Sequence, residues 1–133
     1  MLLFMKIASI DVGLKRIGVA LCLDEKIVFP QDAILRKNRN QASRDVKSFL
    51  EEWEIDKLVV GLPKDGSSSE EMERRIRHFV GLMELEEDIE VAYQDEQGSS
   101  MEAKELTKGV FRHKRDGKID SMAAKIILER YLG

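Results

Sequence analysis

Four acidic residues stand where alternating strands and helices could gather them: Asp11, Asp95, Glu96 and Asp120. Asp11 directly follows the apolar run from Met5 to Ile10, and Asp95 and Glu96 follow the apolar run that ends at Tyr93. Open α/β sheets place their sites beyond the carboxyl ends of their strands, so two such strands in one parallel layer bring these acids to a common edge. Asp120 comes behind Lys118 and Ile119 at the start of a helical stripe, from which it can point toward the same edge. Each acid also has a plain structural use. An Asp at a strand end serves as a turn residue or cap, and an Asp in a first helical turn suits the helix dipole. Glu96 closes a stretch from Glu84 that carries seven acids and no base, where a solvated charge is ordinary. Together the acids ask for more. Two carboxylates about 4 Å apart repel by roughly 4 kcal/mol at an effective dielectric near ~20, so three need a cation or raised pKa values. With oxygen ligands and no His or Cys cluster, the economical cation is Mg²⁺ or Mn²⁺ rather than zinc, and the chemistry it serves is two-metal hydrolysis of a phosphodiester.

The elements that must position these acids are readable from periodicity. Met5 to Ile10 and Ile17 to Leu23 are apolar and β-branched on either side of Gly13, Lys15 and Arg16, which predicts a hairpin. A third strand runs from Ile27 to Leu35, and Pro30 within it cannot donate to a ladder, so it belongs at an edge or a bulge. Ala42, Val46, Phe49, Leu50 and Trp53 fall at helical spacing behind Asn40, read as the N-cap, and Lys57 to Leu62 is a short buried strand. Ser67 with Glu70 and Ser68 with Glu71 have capping-box spacing ahead of a second stripe: Met72, Ile76, Phe79, Val80 and Met83. Met72, Met83 and Met122 read as core. Ile89 to Tyr93 is the next strand, Ser99 and Glu102 form another capping box, and Ile119 to Tyr131 mark a last helix. The order βββαβαβαα, with right-handed crossovers after an antiparallel start, predicts an α/β fold with a mixed five-stranded sheet and helices on both faces.

Composition limits the classes. The 133 residues suit a single domain, 1–133, and 43% apolar with 35% charged residues suits a globular chain rather than a disordered one. A formal charge of −3 advertises no global polyanion partner, so any such site must be local. The single Cys22 excludes an internal disulfide and a multi-Cys zinc site, and reads as a buried small hydrophobe in a reducing compartment. The apolar opening lacks a basic n-region and a cleavage site, and no run approaches the roughly 18 to 20 residues that span a bilayer. The expected location is cytoplasmic, with no membrane partner.

Local charge favours a polyanion. Lys108, Arg112, Lys114, Arg115 and Lys118 are opposed only by Asp116 in the run before Asp120, which predicts a mobile loop from Gly109 to Lys118 that orders on a substrate. Lys15 and Arg16 in the hairpin turn could hold a phosphate, and Arg36, Lys37, Arg39 and Arg44 make a second acid-free run. His113 reads as an exposed loop residue, and His78 as lying on a helix flank.

The segments DVGLKRIGVAL, VVGLPKDGSSSE, DEQGSSMEA and KIDSMAAKIILERYL resemble, in that order, the motifs of the YqgF/RuvX family, across Lys6 to Leu132. DxGxxxxG alone also occurs in phosphate-binding hairpins of the actin and sugar-kinase superfamily; four blocks in register are specific. The resemblance implies a minimal RNase H-like fold similar to RuvC-type resolvases, and a nuclease described both as a candidate Holliday junction resolvase and as the enzyme maturing the 5′ end of 16S rRNA precursor. It places the family's acids, as catalytic residues and metal ligands, on Asp11, Glu96 and Asp120, choosing Glu96 over Asp95. It implies Mg²⁺ or Mn²⁺ as cofactor and a nucleic-acid partner, rRNA precursor or branched DNA. Cutting a junction takes two sites and so a dimer, whereas trimming RNA does not, which leaves monomer and weak homodimer both open. The chain departs from the family pattern at Gln97 and Gly98, where Arg and an apolar residue are usual, and at Ser99 and Ser100, which replace two Thr; Lys64 and Asp65 follow Pro63 where longer, more apolar loops are common. Two rival readings remain. A catalytically silent nucleic-acid-binding module fits Gln97 but not the intact acids, and a nucleotide-binding ATPase domain would need a second phosphate hairpin and an adenosine pocket.

Overall fold

The computed structural model describes residues 5–24, 26–63, 69–97, 99–106, 108 and 117–133. Five strands and four helices follow in the predicted order: β1 (Ile7–Val12), β2 (Arg16–Cys22), β3 (Val28–Leu35), α1 (Arg39–Glu52), β4 (Lys57–Leu62), α2 (Ser69–Leu82), β5 (Glu90–Asp95), α3 (Ser99–Leu106) and α4 (Lys118–Leu132). The strands form one sheet in the order β3-β2-β1-β4-β5. β1 pairs antiparallel with β2 and β2 with β3, while β4 lies parallel to β1 and β5 parallel to β4. The carboxyl ends of β1, β4 and β5 therefore share one edge. Pro30 sits on β3, at the sheet rim, and the β2–β3 register shifts between Ile17 and Val19.

Strand alternation sorts the side chains onto two faces. Ala8, Ile10, Ile17, Val19, Leu21, Leu58 and Val60 pack with Ala42, Val46 and Leu50 of α1 and Ile76, Phe79 and Val80 of α2. The opposite set, Ile7, Ala20, Cys22, Val28 and Val59, packs with Ala124, Ile127 and Leu128 of α4, and α3 joins α4 through Ala103, Ala123 and Ile126. Helices thus cover both faces, and Cys22 is fully buried.

Three local expectations change. The N-cap of α1 is Asn38, not Asn40: its side chain accepts from Gln41 N while Gln41 reaches back to the cap, so the capping box fixes the start two residues earlier. Trp53 closes α1 as a partly exposed cap, its ring tilted 45° to that of Phe49 at 6.3 Å. Met72 is exposed, lining an open depression with Val12 and Leu14, whereas Met83 is buried and Met122 packs on the α3–α4 cluster. The capping serines Ser67 and Ser68 lie outside the described residues, as do 109–116 of the expected mobile loop; Lys118 is helical.

Candidate active site

Asp11 lies on the face of β1 that also carries Ile7 and Ser9, directed at α4. Parity along β5 puts Glu96 on this same face and Asp95 on the other. The Asp11 and Glu96 carboxyls come close enough to interact directly. Burial first, then that contact and the charges of Glu96 and Asp120, hold the Asp11 carboxyl well above the usual carboxylate range. Asp95 faces a turn: its Oδ1 accepts from Gln97 N at 2.9 Å.

Asp120, in the first turn of α4, comes close enough to contribute to that field, but its Oδ2 accepts from Arg16 Nε at 3.0 Å. Two glycines allow this approach. A Cβ on Gly18, the β2 partner of Asp11, would lie 2.0 Å from the Asp120 carbonyl oxygen. A Cβ on Gly61 would meet Ile127 Cδ1 at 2.6 Å and Glu96 Oε2 at 2.8 Å. Two buried serines tie the helix down: Ser9 Oγ donates to the Ala124 carbonyl at 2.7 Å, and Ser121 Oγ accepts the Val19 N–H at 3.2 Å beside the register shift. Gly117, at φ 91° ahead of α4, packs against Ala33, where any side chain would collide at 2.5 Å.

The donor set is all oxygen, and the Asp11–Glu96 pair needs a shared proton or a cation between its carboxyls, which fits a hard divalent ion. Among the described residues no three acidic, His or Cys side chains already close around such an ion, because Asp120 is turned onto Arg16. Mg²⁺ commonly takes only one or two carboxylates and fills its shell with water and phosphate oxygens, so the pair suffices as a base.

Of the expected phosphate contacts, Lys15 is exposed in the hairpin turn, Arg16 is held by Asp120, and Lys118 is exposed at the start of α4. Lys108 lies in a turn after α3, and Arg112, Lys114, Arg115 and His113 fall outside the described residues. The sequence reading did not single out Arg74 and Arg75, which with His78 face Arg36 and Arg39 across a cleft; their positions on the exposed side of the α2 stripe were the available signal. No helix among the described residues is long and apolar enough to cross a membrane.

Comparison with known proteins agrees with this architecture. Among curated proteins, a candidate pre-16S rRNA nuclease of Sulfurovum sp. (strain NBC37-1) is 79% identical over 128 residues, covering 96% of this chain and 98% of that one. One from Campylobacter jejuni (serotype O:6, strain 81116) is 55% identical with the same coverage, and one from Helicobacter pylori (strain G27) is 43% identical, covering 94% and 93%. Among solved structures, Thermus thermophilus RuvC in complex with Holliday junction substrate superposes with a TM-score of 0.62 at 11% identity over 96% of this chain and 94% of that one. The fowlpox virus Holliday junction resolvase gives 0.58 at 14% identity over 96% and 98%. At such identities these two likenesses concern the fold, which is RuvC-like and of the RNase H type. The RuvX family, described as Holliday junction resolvase, matches residues 5–133, and with relatives this similar over nearly their whole length the chain belongs to that family.

Proposed function

We propose that the chain is a metal-dependent endonuclease, one RNase H-like domain over residues 1–133, that hydrolyses phosphodiester bonds of rRNA precursor and matures the 5′ end of 16S rRNA in the cytoplasm. The observation that carries the reading is the close, part-buried Asp11–Glu96 carboxyl pair at the strand-end edge, with Asp120 beside it on α4. The names of the similar proteins supply the substrate. Asp11, Glu96 and Asp120 would hold Mg²⁺ or Mn²⁺, which when bound polarises the phosphate and lowers the pKa of the attacking water. The rest falls to the chain. Asp11 would lose its proton to solvent on taking the ion, and Asp120 would exchange Arg16 for it, which would free the Arg16 guanidinium for the phosphate. Lys15 and Lys118 flank that edge, and the run of Lys108, Arg112, Lys114 and Arg115 adds charge for the backbone.

A second reading, resolution of branched DNA, has the family's description behind it. It requires two sites in one assembly, whereas trimming an RNA end needs one, so the preferred reading goes with a monomer or weak homodimer. The deciding experiment incubates purified protein with Mg²⁺ or Mn²⁺ on 5′-extended 16S precursor, single-stranded RNA and four-way DNA junctions, with Asp11→Asn as control. Cleavage of the precursor, lost in the variant and with chelator, is expected. Symmetrical cutting of the junction with intact RNA would transfer the assignment to the resolvase.

A further inference from the structure

On the far side of the hairpin turn from Asp120 lies a cleft of about 640 Å³ between Leu14, the start of α1 and the exposed face of α2. Arg36, Arg39, Arg74, Arg75 and His78 line it. Arg75 is paired with Glu71 at 2.7 Å, whereas among the described residues Arg36, Arg39 and Arg74 have no acidic partner. Arg36 is fixed in place: its guanidinium donates to the Gly13 carbonyl at 2.9 Å and lies 5.5 Å over the Phe79 ring. Three guanidinium groups that share no carboxylate among the described residues, two from the segment entering α1 and one from α2, repel one another. An anion is the missing partner.

The cleft is connected to the acids. Leu14, 79% exposed at the tip of the turn, lines it on one side and on the other lines a depression formed with Gly13, Lys15, Arg16 and Asp120. A polymer lying across the acids would reach the cleft by passing over Leu14. The volume is that of a small-molecule site, in the general range of about 300 to 1,000 Å³, which admits one or two nucleotides of a single strand and no duplex. We infer that this arginine cleft holds the single-stranded flank of an RNA whose reacting phosphate lies at Asp11 and Glu96, with Arg36, Arg39 and Arg74 on successive phosphates and Leu14 against a base. The inference rests on the nuclease reading for its choice of RNA.

Binding is measured apart from cleavage, in chelator and on an Asp11→Asn background, by fluorescence anisotropy of a labelled RNA of about 12 nucleotides, single-stranded or in duplex. Arg39 and Arg74 are exposed and carry no ion pair among the described residues, so R39Q/R74Q should not lower the melting temperature. It should weaken the single strand roughly tenfold and flatten its log–log salt slope by about 1.4, at about 0.7 per phosphate, with the duplex changed less than about twofold. R39K/R74K, which keeps the charges, should retain the slope. An unchanged slope, or equal losses on single strand and duplex, would overturn the inference. The nuclease reading fails separately: wild type that leaves RNA intact with either metal, while R39Q/R74Q still loses single-strand affinity, removes the nuclease and keeps the cleft.

Discussion

At Asp11 the folded chain favours the protonated carboxyl, because burial and the Glu96 carboxyl both act against its charge. Its folded-state pKa lies above the unfolded one, so its contribution to stability is complete in acid and is lost as the pH rises through the raised value. Asp11→Asn should therefore melt above wild type in chelator at pH near 8, by roughly 4 °C for each ~1 kcal/mol relieved, and the gap should narrow near pH 5. Thermal melts at both pH values check this; coincident curves at both would refute it. Added Mg²⁺ should raise the wild-type midpoint and leave the variant unmoved, while cleavage is absent from the variant. Asp95 and Glu96 should part company in the same assay: Asp95→Asn keeps cleavage, since Asp95 serves the turn at Gln97, and Glu96→Gln loses it. The Asp11–Glu96 juxtaposition was legible because both acids stand at the ends of parallel strands, where alternation fixes the face. The Arg16–Asp120 bond was not, since it joins residues 104 apart and depends on how closely α4 descends onto β2.

That descent is a property of the elements. Most strands and helices were readable because they carry an apolar period, and α1 differs at its two ends, at the exposed Trp53 and where two asparagines compete: Asn38 with Gln41 three residues on has the box spacing, and Asn40 does not. The docking of α4 carries no periodic signal. It rests on missing side chains at Gly18 and Gly61 and on hydroxyls at Ser9 and Ser121, residue types that also occur where nothing approaches. Gly18→Ala would set its methyl against backbone, the Asp120 carbonyl oxygen at 2.0 Å, so α4 must lift and Asp120 withdraw from Asp11. A loss of about 1 to 3 kcal/mol is expected in urea denaturation, with a fall in cleavage beyond what the unfolded fraction explains. Gly81→Ala is the opposite case: nothing lies within 4 Å of its added Cβ, and the substitution should stabilise α2 by about 0.5 to 1 kcal/mol with cleavage unchanged. If both substitutions behaved alike, close packing of α4 would not be what positions Asp120.

Over the whole molecule the net charge of −3 averages over two ends of unlike balance, although Lys6 and Lys57 pair with Glu54 and Glu90 at the acidic one. The strand-end edge bears Lys15, Arg16, Arg36, Arg39, Arg74 and Lys118 beside the acids of the site, while Glu54, Asp56, Glu84, Glu86, Glu87, Asp88 and Glu90 gather where β4 and β5 begin. A strand of six residues at about 3.3 Å each puts the two edges roughly 20 Å apart. Unit charges at that distance interact by only about 0.2 kcal/mol in water, and a Debye length of about 8 Å at physiological salt reduces this further. A polyanion at the site edge should therefore respond to the charge beneath it and hardly at all to the acidic end. Glu86→Gln with Glu87→Gln moves the net charge by two positive units, yet RNA affinity at physiological salt should change less than about twofold. Lys114→Gln with Arg115→Gln moves it by two negative units within the run that precedes Asp120, and should flatten the salt slope by about 1 to 2 units while weakening all sequences alike. Titrations of both double variants against one RNA over a range of salt make the comparison. Opposite shifts of equal size would mean that net charge governs binding; an unchanged slope in the basic-run variant would leave the cleft at Arg36, Arg39 and Arg74 as the main grip on the backbone.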